Sequence, residues 1–147
     1  MNARVLALAA ALAVAAAPTH ARAPRSDDEA AVRAALQHYL DGHATGQGAR
    51  FAAAMHPEMR MFWVRDGRLS QRTQAEYVGG ASGKPAADEA RRRRWVEEVD
   101  VTGDAAVAKV VLDYPQARIT DYMSLLRVDG EWRIVNKTFH SQPKGGS

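Results

Sequence analysis

Asp121 and His140 bracket the most strongly patterned run in this chain, DYMSLLRVDGEWRIVNKTFH, in which apolar and polar residues alternate on either side of Asp129-Gly130. An Asp or a His walled by apolar side chains can have a pKa moved toward neutrality, which is what general acid or base work requires. Asp-Gly between two alternating runs predicts a two-residue hairpin, because both central positions of a type I′ turn need φ > 0. In that register Asp121 and His140 stand within about one pair of being directly opposite, and the hairpin brings acid and imidazole to the same sheet edge. Each also has a plainer role. Asp121 can accept backbone or tyrosine hydrogen bonds that fix a strand end, and His140 can sit at a frayed terminus.

Side-chain alternation sorts the rest of the hairpin. Asp121, Met123 and Leu125 share one face, and Tyr122, Ser124 and Leu126 the other. Trp132, Ile134, Asn136, Thr138 and His140 likewise oppose Arg133, Val135, Lys137 and Phe139. Both faces are partly apolar, as expected for a sheet covered by helices on one side and by a second copy of the chain on the other, so a homodimer through the sheet is expected. Lys137 is a candidate anion clamp or, if buried, an imine-forming amine, although a snorkelling surface lysine is the commoner arrangement. Trp63, Trp95 and Trp132 read as core.

Other chemistries lack their residues. There is no cysteine, hence no thiolate nucleophile, no Cys-type zinc site and no disulfide framework. Histidines 38, 43, 56 and 140 show no metal-ligand spacing, and no GxSxG, P-loop or dinucleotide glycine pattern occurs. No metal and no bound cofactor is expected. Arg91 to Arg94 form a basic run, but a strand would send them alternately to opposite faces, so a solvated loop or strand entrance is the expectation rather than a nucleic-acid patch.

The chain begins with Asn2 and Arg4 and continues through Val5 to Ala17 with no charge. That pattern, closing on Ala21-Arg22-Ala23, predicts a secretory signal peptide over residues 1–23. The apolar segment is short of the roughly 20 residues that span a bilayer. Export to the periplasm or the exterior is therefore expected, with no membrane association after cleavage. Loss of Arg4 and Arg22 lowers the basic residues from 20 to 18 against 17 acidic ones, a formal charge of +1. A near-neutral surface gives no reason to expect nucleic acid as a partner. Residues 24–147 suffice for one domain with one core.

Within that domain, Ser26 and Glu29 form a capping box before a helix carrying Val32, Ala35, Leu36, Tyr39 and Leu40, which Asp41-Gly42 is expected to end. A shorter helix follows over Ala49 to Met55, stopped by His56-Pro57. Met59, Met61 and Trp63, then Asp66-Gly67 and Leu69, predict a short hairpin, and Thr73 with Glu76 caps a short helix bearing Tyr77. After a loop from Gly79 to Asp88 the chain reads as strands at 94–101, 105–114, 119–128 and 131–140, with a disordered tail over 141–147. Helices first and hairpin-linked strands afterwards predict an α+β fold with the helices on one sheet face.

That element order resembles the nuclear transport factor 2 (NTF2) superfamily, and more closely its putative lumazine-binding group. The segments that carry the resemblance are AVRAALQHYLDG at 31–42, His56-Pro57, VTGDAAVAKV at 101–110 and the run 121–140. The resemblance implies an NTF2-like, cystatin-like cone: a curved antiparallel sheet wrapped on helices around a pocket for a small organic molecule, without an implied cofactor. Tyr39, Trp63, Tyr122, Asn136 and Lys137 are then candidate pocket residues. Ketosteroid isomerase, which shares this type of fold, uses an Asp base and proton donors in its cone. By that analogy Asp121, with His56 or His140, would move a proton in an isomerisation or dehydration. Binding without turnover is the first reading, because the fold supplies a pocket before it supplies placed acids and bases. Catalysis is the second and a structural or protein-interaction domain the third. For His56 the plainer role is a residue at a helix C-terminus, favoured by the dipole.

Overall fold

The computed structural model describes residues 27–145. The expected signal peptide at 1–23 and the Ser26 half of the first capping box lie outside the described residues. Among those described, no helix is long and apolar enough to cross a membrane.

The first helix, α1 (Asp27–Thr45), buries Val32, Ala35, Leu36, Tyr39 and Leu40, one stripe at helical spacing. It does not stop at Asp41-Gly42. Gly42 lies inside it because the ring of Phe51 rests on that position, where a Cβ would come within 2.6 Å of the ring. The glycine is a packing requirement, and it outweighs the roughly 1 kcal/mol that glycine costs a helix interior. Gly46, at φ 69°, ends the helix in the left-handed conformation, with its N–H bonded to the Gly42 carbonyl at 2.8 Å. Helix α2 (Gly48–Ala54) follows, and His56-Pro57 falls within strand β1 (Met55–Arg65).

Strand β2 (Arg68–Thr73) returns along β1 through Asp66-Gly67, both at positive φ as a type I′ turn needs. Thr73 and Glu76 form the reciprocal capping box that starts α3 (Gln74–Gly79). A loop and one 3-10 turn at Glu89–Arg91 lead into four long strands: β3 (Arg93–Thr102), β4 (Ala105–Asp113), β5 (Ala117–Val128) and β6 (Glu131–Pro143). The segment 141–143, expected to be disordered, continues β6 by pairing with the start of β5, Ala117 opposite Pro143.

The six strands form one sheet in the order β2-β1-β6-β5-β4-β3, antiparallel throughout except for the parallel contact of β1 with β6. Register shifts interrupt the β1/β6, β3/β4 and β5/β6 ladders. Bulges of this kind bend a sheet and raise its twist, and here they curve it around the helices. Its inner face supplies Met59, Met61, Ala106, Ala108, Val110, Leu112, Met123, Leu125, Trp132 and Ile134 to a core shared with α1 and Phe51 of α2. Helices on one face of a curved, unclosed sheet make this an α+β cone.

Candidate functional site

Four elements converge on a polar cluster inside this apolar core. Tyr39 of α1, Asp121 of β5 and Lys137 of β6 are all buried, Asp121 at 0 % exposure and Lys137 at 4 %. The Tyr39 hydroxyl donates to Asp121 Oδ2 at 2.7 Å, and Lys137 Nζ donates both to Asp121 Oδ1 and to the Tyr39 oxygen, each at 2.7 Å. From Tyr39 the cluster continues outward. Tyr77 of α3 places its hydroxyl 3.4 Å from that of Tyr39 and 3.0 Å from His43 Nε2, with the proton roles at the imidazole set by its tautomer. His43 follows Tyr39 by one helical turn on the same face of α1, and their rings meet edge to face at 4.7 Å.

Lys137 reaches this cluster because of the bulge in the last hairpin. Leu125 pairs with Ile134, but Ser124 pairs with Asn136, so Val135 is the extra residue. One inserted residue reverses the in-and-out alternation of everything beyond it. Trp132 and Ile134 point into the core before the bulge, and Lys137 points inward after it.

The electrostatics follow from burial. Burial alone pushes the Lys137 amine down, but Tyr77 and the bonded carboxylate of Asp121 outweigh it and hold the pKa above the ordinary value, so the ammonium form persists. Burial, with Asp121 beside it, raises the Tyr39 phenol well above its usual range. His43 is pushed well below its ordinary value, first by burial and then by the positive charges of Lys137, Arg94 and Arg92, so its imidazole is neutral at physiological pH.

His43 and Tyr77 open onto a groove of about 300 Å³ between the end of α1, α3 and the loop that follows α3. Phe51 and Ala81 give it an apolar side, while Arg72, Lys84 and Arg92 line it with positive charge. The loop is clasped to the end of α1 by the Gly83 N–H to Gly46 carbonyl bond at 2.8 Å, and a Cβ on Gly46 would fall 2.1 Å from the Lys84 carbonyl oxygen. Tyr114 lies beside His43 with its hydroxyl buried and unbonded, its ring covered by the Arg92 guanidinium at 4.3 Å.

Of the residues singled out in the sequence, Asp121, Tyr39 and Lys137 meet, and Lys137 is a buried ion-pair partner rather than a snorkelling surface lysine. Trp63 sits on the same sheet face, stacked on Phe139 at 5.7 Å, whose ring is 5.0 Å from Lys137 Nζ. The other four lie elsewhere. His140 is exposed and pairs with Thr120, one step from Asp121 and therefore on the opposite face. Tyr122 and Asn136 also face outward, lining a shallow depression on the uncovered side of the sheet. His56, half-buried at the start of β1 rather than at a helix end, spends Nδ1 on the Glu58 backbone N–H at 3.1 Å. Among the described residues no cluster of His, Asp and Glu is placed to hold a metal. His43 and Tyr77 are the members that the sequence reading missed. The four-residue spacing of Tyr39 and His43 on an amphipathic helix was the available signal for the first, whereas Tyr77 had none beyond its residue type.

The sequence profile described as Putative lumazine-binding matches residues 27–140. The chain is 24 % identical over 119 residues to aldolase FrzH of Cladobotryum sp., a match that spans 81 % of this chain and 95 % of that protein. Among solved structures, an NTF2-like protein of unknown function from Shewanella baltica superposes with a TM-score of 0.71 at 23 % identity, over 80 % of this chain and 95 % of that one. An NTF2-like protein of unknown function from Methylobacillus flagellatus superposes at 0.68 with 26 % identity, over 82 % and 96 %. With the profile spanning nearly all of the described domain and the cone shared with these structures, the chain belongs to the Putative lumazine-binding family of NTF2-like proteins.

Proposed function

We propose that this protein binds a small carbonyl compound in the groove at His43 and Tyr77 and moves a proton beside that carbonyl. This is the step shared by keto–enol isomerisation and by aldol addition or cleavage. The observation that carries the reading is the continuous line of polar contacts from the buried Lys137–Asp121 pair through Tyr39 to Tyr77 and His43 at the groove.

In this scheme the Tyr77 hydroxyl donates to the carbonyl oxygen, and neutral His43 takes the α-proton. The C–H electron pair moves into the enolate, whose oxygen carries the new negative charge. For aldol addition the enolate carbon then bonds to a second carbonyl carbon, and the resulting alkoxide takes the proton back from the imidazolium. The cations that lower the His43 pKa favour the enolate, because preorganised positive charge in a partly dry site stabilises developing anions. Asp121 is a positioning residue here: it holds Tyr39 and Lys137 and does not itself reach the groove. The name of the relative FrzH supports carbon–carbon chemistry of this class.

The test is α-proton exchange in D2O, followed by proton NMR, on 2-oxo-4-phenylbutanoate and 4-phenylbutan-2-one. Acceleration by the protein that falls at least about tenfold in Tyr77→Phe and in His43→Asn is expected. Absence of acceleration for either compound leaves binding without turnover, the second reading. That reading is favoured by the internal satisfaction of Asp121 and Lys137, which lets the network serve purely to shape the groove. Lumazine, given the family's description, is the probe for it. The signal-peptide pattern of residues 1–23 supports export to the periplasm or the exterior, and the mass of the processed N-terminus would test it.

A further inference from the structure

The charge around the groove is one-sided. Arg72, Lys84 and Arg92 line it and no aspartate or glutamate does. Arg92 is already held by Asp88 at 2.7 Å and stacked on Tyr114. Arg72 and Lys84 have no ion pair among the described residues. Glu76, whose pKa is lowered first by its bonds to Thr73 and further by the charge of Arg72, is bound in the α3 capping box by the Thr73 N–H at 2.8 Å. Lys84 is carried by a loop fixed to α1 through the Gly83–Gly46 contact, with the Ser82 hydroxyl bonded to the Lys84 carbonyl at 2.6 Å. A near-neutral domain thus concentrates positive charge at the entrance to the line of buried polar groups. A concave, cationic entrance raises the local concentration of anions and disfavours cations.

We propose that the groove's ligand is a small oxo acid, with its carboxylate held by Arg72 and Lys84 and its carbonyl directed at Tyr77. This deepens the preceding reading and rests on it. The apolar side made by Phe51 and Ala81 takes the hydrocarbon part.

The experiment titrates 2-oxo-4-phenylbutanoate against 4-phenylbutan-2-one, which carries a methyl group in place of the carboxylate. Binding is read from the His43 ring resonances, assigned with His43→Asn. The acid should bind about tenfold or more tightly than the ketone. That preference should shrink between about 50 and about 500 mM NaCl. It should fall to within about threefold in the Arg72→Gln/Lys84→Gln variant and persist in Arg68→Gln, an exposed arginine at the turn end of β2 that does not line the groove. Equal binding of both compounds, with the His43 shift present, overturns the oxo-acid proposal and leaves the groove reading standing. A preference that survives the double variant places the anion elsewhere and overturns it too. No His43 shift with either compound at about 10 mM removes both readings.

Discussion

Lys137 stands opposite Met123 in the β5–β6 ladder, yet its amine reaches diagonally to Asp121, two residues away along β5, and bonds Oδ1 at 2.7 Å. Diagonal neighbours on one sheet face are within reach of a long side chain. Because both groups are buried, removing one strands the other without a counter-charge. Asp121→Asn or Lys137→Met alone should each cost about 3–5 kcal/mol in urea unfolding, whereas the double variant Asp121→Leu/Lys137→Met should cost far less than the two combined. Additive losses would mean that the two charges do not depend on each other.

Acid should weaken the fold through His43. In the unfolded chain its imidazole takes up a proton near the ordinary value of 6.5, and in the folded protein only well below it. Between those two values the unfolded state binds more protons, so this contribution is complete above pH 6.5 and is lost as the pH falls below it. The slope cannot exceed about 1.4 kcal/mol per pH unit for one group. Unfolding free energies measured from pH 7.5 down to about pH 5 should decline, and His43→Asn should flatten that decline. Glu76, Asp88, Glu89 and Asp113 have pKa values lowered by hydrogen bonding and act below their ordinary values of 4.5 or 3.8, outside this window.

Gly42→Ala, inside α1, and Gly79→Ala, at the last residue of α3, make a contrasting pair. The new methyl at position 42 would meet the Phe51 ring, whereas at position 79 nothing lies within 4 Å. Thermal melts should show Gly42→Ala destabilised by about 1–3 kcal/mol through overpacking, with Gly79→Ala neutral or slightly stabilised. A tolerated Gly42→Ala would mean that Phe51 can swing away from α1.

The uncovered sheet face exposes Val107 at 57 %, Tyr122 at 54 % and Leu126 at 42 % on adjacent strands β4 and β5. Apolar side chains of this size clustered on one face suit self-association, and we expect a dimer formed through that face. Sedimentation equilibrium at micromolar concentration should give twice the monomer mass and revert to monomer in Tyr122→Glu. A monomeric wild-type chain ends this expectation.

The amino-acid sequence by itself determined what is local. Asp66-Gly67 and Asp129-Gly130 specify type I′ turns because few other residues tolerate positive φ at both central positions, and Thr73 with Glu76 specifies a helix start through its reciprocal hydrogen bonds. The stripe from Val32 to Leu40 fixes the buried face of α1, and the order of elements already implies the cone. Tertiary structure decided the rest. Gly42 breaks no helix because a ring from the next helix occupies its missing side chain's place. Val135 is an ordinary strand residue in the sequence, but in the β5–β6 ladder it is the bulge, and that one extra residue turns Lys137 inward and leaves Asn136 and His140 facing out. Strict alternation, which groups Asn136 and His140 with Ile134, therefore does not hold across the bulge. Tyr77 comes from a short helix in the middle of the chain and could be joined to His43 and Tyr39 only by packing, since no spacing in sequence relates residues that the fold alone makes neighbours.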